Sequence, residues 1–180
     1  MVVLGSNGRG AIGRVMVGSV SSGVLHAAKC PVAIIRADAS YSPPSDRAPV
    51  LVGVDCSPVS ELAVALAFDA ASRRGVELTA LHAWSDMAMF EPAWQDWDQE
   101  AERSLAEYLA GWQERYPDVT VRRVIAIDHP GRALTEEAES AQLVVVGSHG
   151  RGRLAGMLMG SVSNAVVHAT HIPVIVARPS

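Results

Sequence analysis

The sequence predicts an α/β protein: a doubly wound parallel sheet with helices on both faces. Three observations carry that prediction. Apolar runs of strand length alternate with amphipathic segments of helix length through most of the chain. One such run, 143–146, breaks at once into Gly147-Ser148-His149-Gly150; nine residues later Gly160-Ser161 opens a helix that leads to a last apolar run at 173–177. The stretch 144–178 also recurs at 2–36, at an offset of 142 (147 − 5), with about half of the aligned positions identical and no gap.

Taken in order, 2–4 reads as a short strand. A helix follows Gly18-Ser19 to about Ala28, and 32–35 is a second strand. Residues 37–49, rich in Pro, Ser and Ala, read as a linker. At 50–54 a buried-type strand ends in Asp55. Ser57-Pro58 is a helix start, a cap residue followed by proline at the first helical position. Leu62, Leu66 and Ala70 stripe that helix, and Gly75 ends it. A strand follows at 76–83, then an irregular stretch 84–97 carrying Trp84, Trp94 and Trp97. Ala101, Leu105, Tyr108, Leu109 and Trp112 mark another amphipathic helix, stopped at Pro117. The strand 119–127, a helix entered at Pro130-Gly131, the strand 143–146, the helix from Ser161 and the strand 174–177 complete the series. The domain reading is a C-terminal fragment of a first repeat copy at 1–36, the linker 37–49, and one complete copy at 50–180.

Composition excludes several classes of function. Apolar residues make up 49% of the chain, enough for a real core and against disorder. A formal net charge of −4 gives no general attraction to nucleic acid or to an anionic membrane surface. Lys29 is the only lysine, so no Walker A loop, which needs G-x-x-x-x-G-K, is present. Cys30 and Cys56 have neither metal-ligand spacing nor a disulfide framework. The opening run MVVLG is short for a secretory signal, and no stretch reaches the length of a membrane span. The expectation is a cytoplasmic, reduced protein.

A strand that empties into a glycine turn facing a helix start is an anion site. Glycines let backbone N–H groups approach a phosphate, and the first helical turn adds unpaired N–H groups and the positive end of the dipole. In open α/β sheets ligands sit beyond the carboxyl ends of strands where the strand order reverses. Asp55 ends the first strand of the complete copy and Gly147 ends the fourth. If those strands are neighbours, acid and glycine loop face one crevice.

VGVDCS at 52–57, LHAW at 81–84 and VVVGSHGRG followed by GSVSNAVVHATHIPVIVAR at 144–178 resemble the universal stress protein family, in a tandem form with the first copy represented by its rear part. The G-x-x-G, nine residues, G-S pattern resembles the nucleotide-binding branch of that family. The resemblance implies a five-stranded parallel sheet of order 3-2-1-4-5, similar to adenine nucleotide alpha hydrolases, with a βαβ fragment of the second copy in front. It implies ATP between strands one and four. Carried over by position, Gly53 and Asp55 belong to the site, with Asp55 on the ribose or adenine edge. Ala83 contacts adenine through its backbone, and Val146 and Gly147 line base and sugar. Ser148, His149, Gly150, Gly160, Ser161 and Val162 flank the phosphates. Arg151 and Arg153 serve either as phosphate ligands or as solvated loop charges. The family also implies edge-to-edge meeting of last strands, so 32–35 is expected to pair with 174–177, and a homo-oligomer through the last strand is expected.

Plainer readings stand beside these. Each glycine could be a turn glycine, Asp55 a helix-start acid and His149 a loop hydrogen-bonder. His168 and His171 suit the negative end of a helix better than a metal. No nucleophile elbow or triad order appears. Met87, Met89, Phe90, Trp94 and Trp97 are either local packing or a lid or partner surface. The expected function is an ATP-binding regulatory module of the stress response with an unidentified protein partner and no efficient catalysis. A slow hydrolase with Mg²⁺ on the ATP phosphates and a nucleotide-independent dimerisation module are the alternatives.

Overall fold

A computed structural model describes residues 1–5, 18–36, 45–84, 94–150 and 159–179, apart from the side chains of 94–98. The strands are β1 (Val2–Gly5), β2 (Val32–Ile35), β3 (Val50–Gly53), β4 (Leu78–Trp84), β5 (Val121–Ile127), β6 (Leu143–Gly147) and β7 (Val174–Ala177). The helices are α1 (Ser19–Ala27), α2 (Glu61–Arg74), α3 (Trp94–Arg115), α4 (Pro130–Ala138) and α5 (Ser161–Ala169). A single 3-10 turn, Pro58–Ser60, leads into α2, with Ser57 as its cap.

The strands form one sheet of seven in the order β1-β2-β7-β6-β3-β4-β5. This corrects the expected five-stranded, all-parallel sheet. β2 runs antiparallel to β7, so the sheet is mixed; the expected pairing of 32–35 with 174–177 is observed, and β1 and β2 extend the sheet beyond β7. Within it the strands from β3 onward lie as β5-β4-β3-β6-β7, all parallel to their neighbours.

Strand alternation divides the core in two. Val50, Val52, Leu78, Ala80 and Val145 point to one face, where α2 and α3 bury Phe68, Leu105 and Leu109. Phe68 meets Trp112 and Tyr116 of α3 at ring-centroid distances of 6.1 and 5.5 Å. Leu51, Leu81, Val144, Val146, Val174 and Val176 point to the other face, under α4 and α5. Leu25 of α1 joins this second cluster, as do Val32 and Ile34 of β2, so these N-terminal elements share a core with the strands from β3 onward. β1 closes one margin of the sheet and leaves Met1 and Val3 exposed.

Several boundaries differ from the sequence reading; β4, for one, starts at Leu78 and not at 76. α3 begins at Trp94, several residues before the first core position Ala101. Asp96, Asp98, Gln99 and Glu100 are polar and masked the stripe, although Trp94, Trp97 and Ala101 already stand at helical spacing. β5 begins at Val121, because Val119 N–H instead closes a turn onto Tyr116 O at 3.1 Å. Residues 85–93 lie outside the described set, and with them Met87, Met89 and Phe90; so do the side chains of Trp94 and Trp97.

Gly75 stops α2 in the left-handed region (φ 61°), its N–H directed at Ala71 O and Ser72 O. Gly111 lies inside α3. A Cβ at either position would meet nothing within 4 Å, so backbone conformation alone decides their substitutions, with opposite signs. Gly75→Ala lowers the unfolding free energy by about 1–2 kcal/mol because an L-residue is strained there. Gly111→Ala raises it by about 0.5–1 kcal/mol through helix propensity. Urea titration of the two variants checks both signs.

Candidate nucleotide site

β3 pairs with β6 in parallel, Val50 opposite Leu143 and Val52 opposite Val145, so both strands end at the same margin. β4 pairs with β3 on the other side and brings Ala83 to that margin. β3 is therefore the point where the chain turns from building the sheet one way to building it the other, the place where a crevice opens.

Asp55 stands just past β3. Its Oδ1 accepts from Ser57 N–H at 2.9 Å and from Ser57 Oγ at 2.6 Å. The turn requires Cys56 to adopt φ 56°, and among the described residues it is the only non-glycine in that region. Ser57 is held in turn by α3. Tyr108 Oη donates to Ser57 O at 2.9 Å and lies 3.1 Å from Ser60 Oγ, which itself donates to Ser57 O at 3.0 Å. Burial pushes the Tyr108 hydroxyl up, the Ser60 hydrogen bond opposes the shift, and the negative Glu61 and Asp55 add to it. Tyr108 therefore stays a donor. With Oδ1 occupied, Oδ2 is turned to the glycine loop: a Cβ built on Gly150 would lie 3.5 Å from it.

The loop is drawn tight at its neck. Ser148 N–H donates to Ala177 O at 2.8 Å, and Gly160 N–H donates to Ser148 O at 2.7 Å. Ser163 Oγ donates to Gly147 O. A Cβ on Gly147 would come within 3.1 Å of His149 O, and one on Gly160 within 3.4 Å of both Ser148 O and His149 Cα. Gly160 caps α5 with φ −66° and ψ 153° and supplies no side-chain cap, so the first amides of α5 have no side-chain oxygen from that position. His149 Nδ1 lies 3.1 Å from Ser148 Oγ.

Gly53, Asp55, Ala83, Val146, Gly147, Ser148, His149, Gly150, Gly160, Ser161 and Val162 thus occupy one end of the sheet. Several serve packing there. A Cβ on Gly53 would strike Leu134 Cδ1 at 2.9 Å, so this glycine makes room for α4. Val146 is 2% exposed and its side chain belongs to the core. The backbone N–H and C=O of Ser148 are already used in the neck. Arg151 and Arg153 lie outside the described residues. The holders Tyr108 and Ser163 were not singled out from the sequence. Tyr108 is hidden among helix-stripe residues, since its partners are about 50 positions away. Ser163 carried a signal: its repeat counterpart Ser21 donates from Oγ to Gly5 O at 2.7 Å, the same tie in the other copy.

The universal stress protein family model matches residues 1–36 and 47–178. The chain belongs to the universal stress protein family. It is similar to Universal stress protein Rv2005c of Mycobacterium tuberculosis, 64% identical over 183 residues, which cover 100% of this chain and 62% of that protein. It is also similar to Universal stress protein Rv2623 of the same organism, 55% identical over 183 residues with the same coverage. The chain therefore spans about three fifths of the length of these curated relatives. Among solved structures, a universal stress protein from Archaeoglobus fulgidus aligns with TM-score 0.66 and 27% identity, over 99% of this chain and 60% of that one. A universal stress protein in complex with cAMP aligns with TM-score 0.56 and 27% identity, over 76% of this chain and 100% of that one. No helix among the described residues is long and apolar enough to cross a membrane.

The tie from α3 to the Asp55 turn is open to a direct measurement. Tyr108→Phe keeps the ring and removes the hydroxyl, leaving Ser57 O with Ser60 alone. The unfolding free energy falls by about 1 kcal/mol, the net worth of one such hydrogen bond. Chemical denaturation that shows no change shows that Tyr108 contributes only its ring.

Proposed function

We propose that this chain binds an adenine nucleotide, ATP, in the crevice between β3 and β6, and acts through it as a regulatory module of the stress response. The observation that carries this reading is the meeting of Asp55 Oδ2 with Gly150 across the crevice, at the mouth of a loop that ends on the N-terminus of α5. A carboxylate with one oxygen tied back and one presented suits sugar hydroxyls. Close-approach glycines and a helix start suit phosphates. The related structure in complex with cAMP lends support, because an adenine nucleotide is the ligand named there.

The reading assigns the residues by reach. Ala83 offers backbone atoms to the base from the end of β4, and Asp55 faces the ribose. Gly150, Gly160, Ser161 and Val162 surround the phosphates. Ser148 and His149 act by shaping the loop, and Arg151 adds positive charge. Any Mg²⁺ would arrive on the ATP phosphates. No residue is assigned as a catalytic base, and turnover is at most slow.

The intrachain pairing of β2 with β7 counts against the alternative of a nucleotide-independent dimerisation module built on the last strand. It also changes the oligomer expectation. β7 has β6 on one side and β2 on the other, so its edges are used within the chain, and a homo-oligomer through that strand would require β2 to be displaced.

Incubation of the purified protein with ATP, followed by identification of bound and released nucleotide, separates binding, hydrolysis and neither. In calorimetric titration Gly147→Val and Gly160→Val each weaken ATP at least tenfold, about 1.4 kcal/mol, since each places a branched side chain in the cradle. Unchanged affinity in both removes the cradle. Asp55→Asn weakens ATP by about 1–3 kcal/mol and abolishes discrimination against 2′,3′-dideoxy-ATP. If the wild type shows no such discrimination, Asp55 does not read the ribose.

A further inference from the structure

The seam between the repeat copies has two-fold symmetry that the repeat offset makes explicit. Across it Val32 pairs with Val176, Ala33 with Ile175 and Ile34 with Val174. Subtracting 142 turns Val176, Ile175 and Val174 into the positions of Ile34, Ala33 and Val32. Each strand therefore faces the reverse of its own counterpart, and the axis passes through the Ala33–Ile175 pair.

The side chains beyond the strands obey the same symmetry. Arg36 follows β2 and Arg178 follows β7, and they are counterparts at the same offset. Arg36 Nη2 donates to Val167 O at 2.7 Å and to His168 O at 3.0 Å, in the last turn of α5. Arg178 Nη1 donates to Leu25 O, in the last turn of α1. Leu25 is the counterpart of Val167. Each copy thus supplies a guanidinium to the C-terminal carbonyls of the other copy's helix.

Carbonyl accounting shows what the contact does. The last turn of a helix leaves carbonyls without intrahelical partners. In α5, Val166 O accepts from Thr170 N–H at 3.1 Å and from Thr170 Oγ1 at 2.8 Å. The next two carbonyls are those taken by Arg36. In α1, Val24 O accepts from Ala28 N–H at 2.9 Å, and the next carbonyl is taken by Arg178. A cation at this end also matches the helix dipole, and charge-assisted bonds are the stronger kind. Burial pushes the Arg36 guanidinium down from its ordinary range, as expected of a cation that has exchanged water for carbonyl oxygens.

We infer that Arg36 and Arg178 form a reciprocal clasp across the seam, and that Arg36 is a positioning residue for the phosphate end of the nucleotide cradle. The second half rests on the ATP reading above. α5 spans nine residues, about 13 Å. Its N-terminal end is tied to the loop neck by Ser163, and its C-terminal end to the other copy by Arg36. A helix this short, held at both ends, moves as a unit. Release of the Arg36 end lets α5 pivot on its buried Val166 and Val167, and the amides that face the phosphates move with it. The base and sugar positions, set by β3, β4 and β6, do not depend on this grip.

The test uses the full chain with Arg36→Ala, Arg36→Lys and Arg178→Ala, titrated with ATP and with adenosine, and followed by amide hydrogen exchange. Arg36→Ala weakens ATP by about fivefold or more, leaves adenosine within about twofold, and speeds exchange in α5. Arg36→Lys, which reaches one carbonyl at a time, restores part of the ATP affinity. Arg178→Ala loosens the same seam, speeds exchange in α1 and leaves ATP affinity unchanged. Equal ATP losses in Arg36→Ala and Arg178→Ala, or parallel losses of ATP and adenosine, show that the arginines only stabilise the seam and overturn the positioning role. Unchanged exchange in both helices overturns the clasp. Failure of the unsubstituted chain to bind either ligand sinks the ATP reading and the positioning role with it, while the exchange arm still decides the clasp.

Discussion

The neck of the glycine loop is the constraint on which the candidate site depends. Two backbone hydrogen bonds converge on Ser148: its N–H is committed to Ala177 O of β7, and its C=O receives Gly160 N–H at the start of α5. Ser163 adds a third tie, from α5 back to Gly147 O. Strand end, helix start and neighbouring strand are therefore locked at one point, independent of how the chain travels between them. The close approach demands small residues. At Gly147 an added carbon would already press on His149 O. A loop closed in this way presents the first turn of α5 in a fixed direction, which is what a preorganised anion site requires.

The opposite wall is built by a different kind of chain. Asp55 is not aimed by its own strand alone. Ser57 captures one carboxylate oxygen, Tyr108 and Ser60 hold Ser57 O, and Cys56 takes a left-handed turn between them. This is a relay from α3, through a turn, to one free oxygen. Its cost is a strained backbone residue, about 1–2 kcal/mol, offset by the hydrogen bonds that turn makes possible. The outcome is directional: Oδ2 faces Gly150 and not the serine.

The two-fold seam joins these local devices to the rest of the molecule. Because β2 and β7 pair in antiparallel register and share the core beneath α1 and α5, the segment that carries β1, α1 and β2 is neither a tail nor a separate body. It covers the outer edge of β7 and satisfies carbonyls at the end of α5.

Much of the fold was legible in the sequence because its causes are local. Apolar runs at 143–146 and 174–177 are strands since both faces are covered. Gly75 and Ser57-Pro58 punctuate α2 through backbone preferences that belong to those residues themselves. The resemblance to the family made the β2–β7 pairing expected from the sequence, since the family places last strands together. Tertiary structure decided what depends on contacts between distant positions. That the sheet has seven strands and one antiparallel pairing is a property of how two copies meet, not of either copy's periodicity. Tyr108 looks like any other stripe residue until α3 is laid against the turn after β3. Arg36 looks like a charge before a linker until the end of α5 arrives beside it. Such residues take their roles from hydrogen bonds across 51 and 131 positions, and no spacing rule along the chain encodes a partner that only the packing of the sheet brings near.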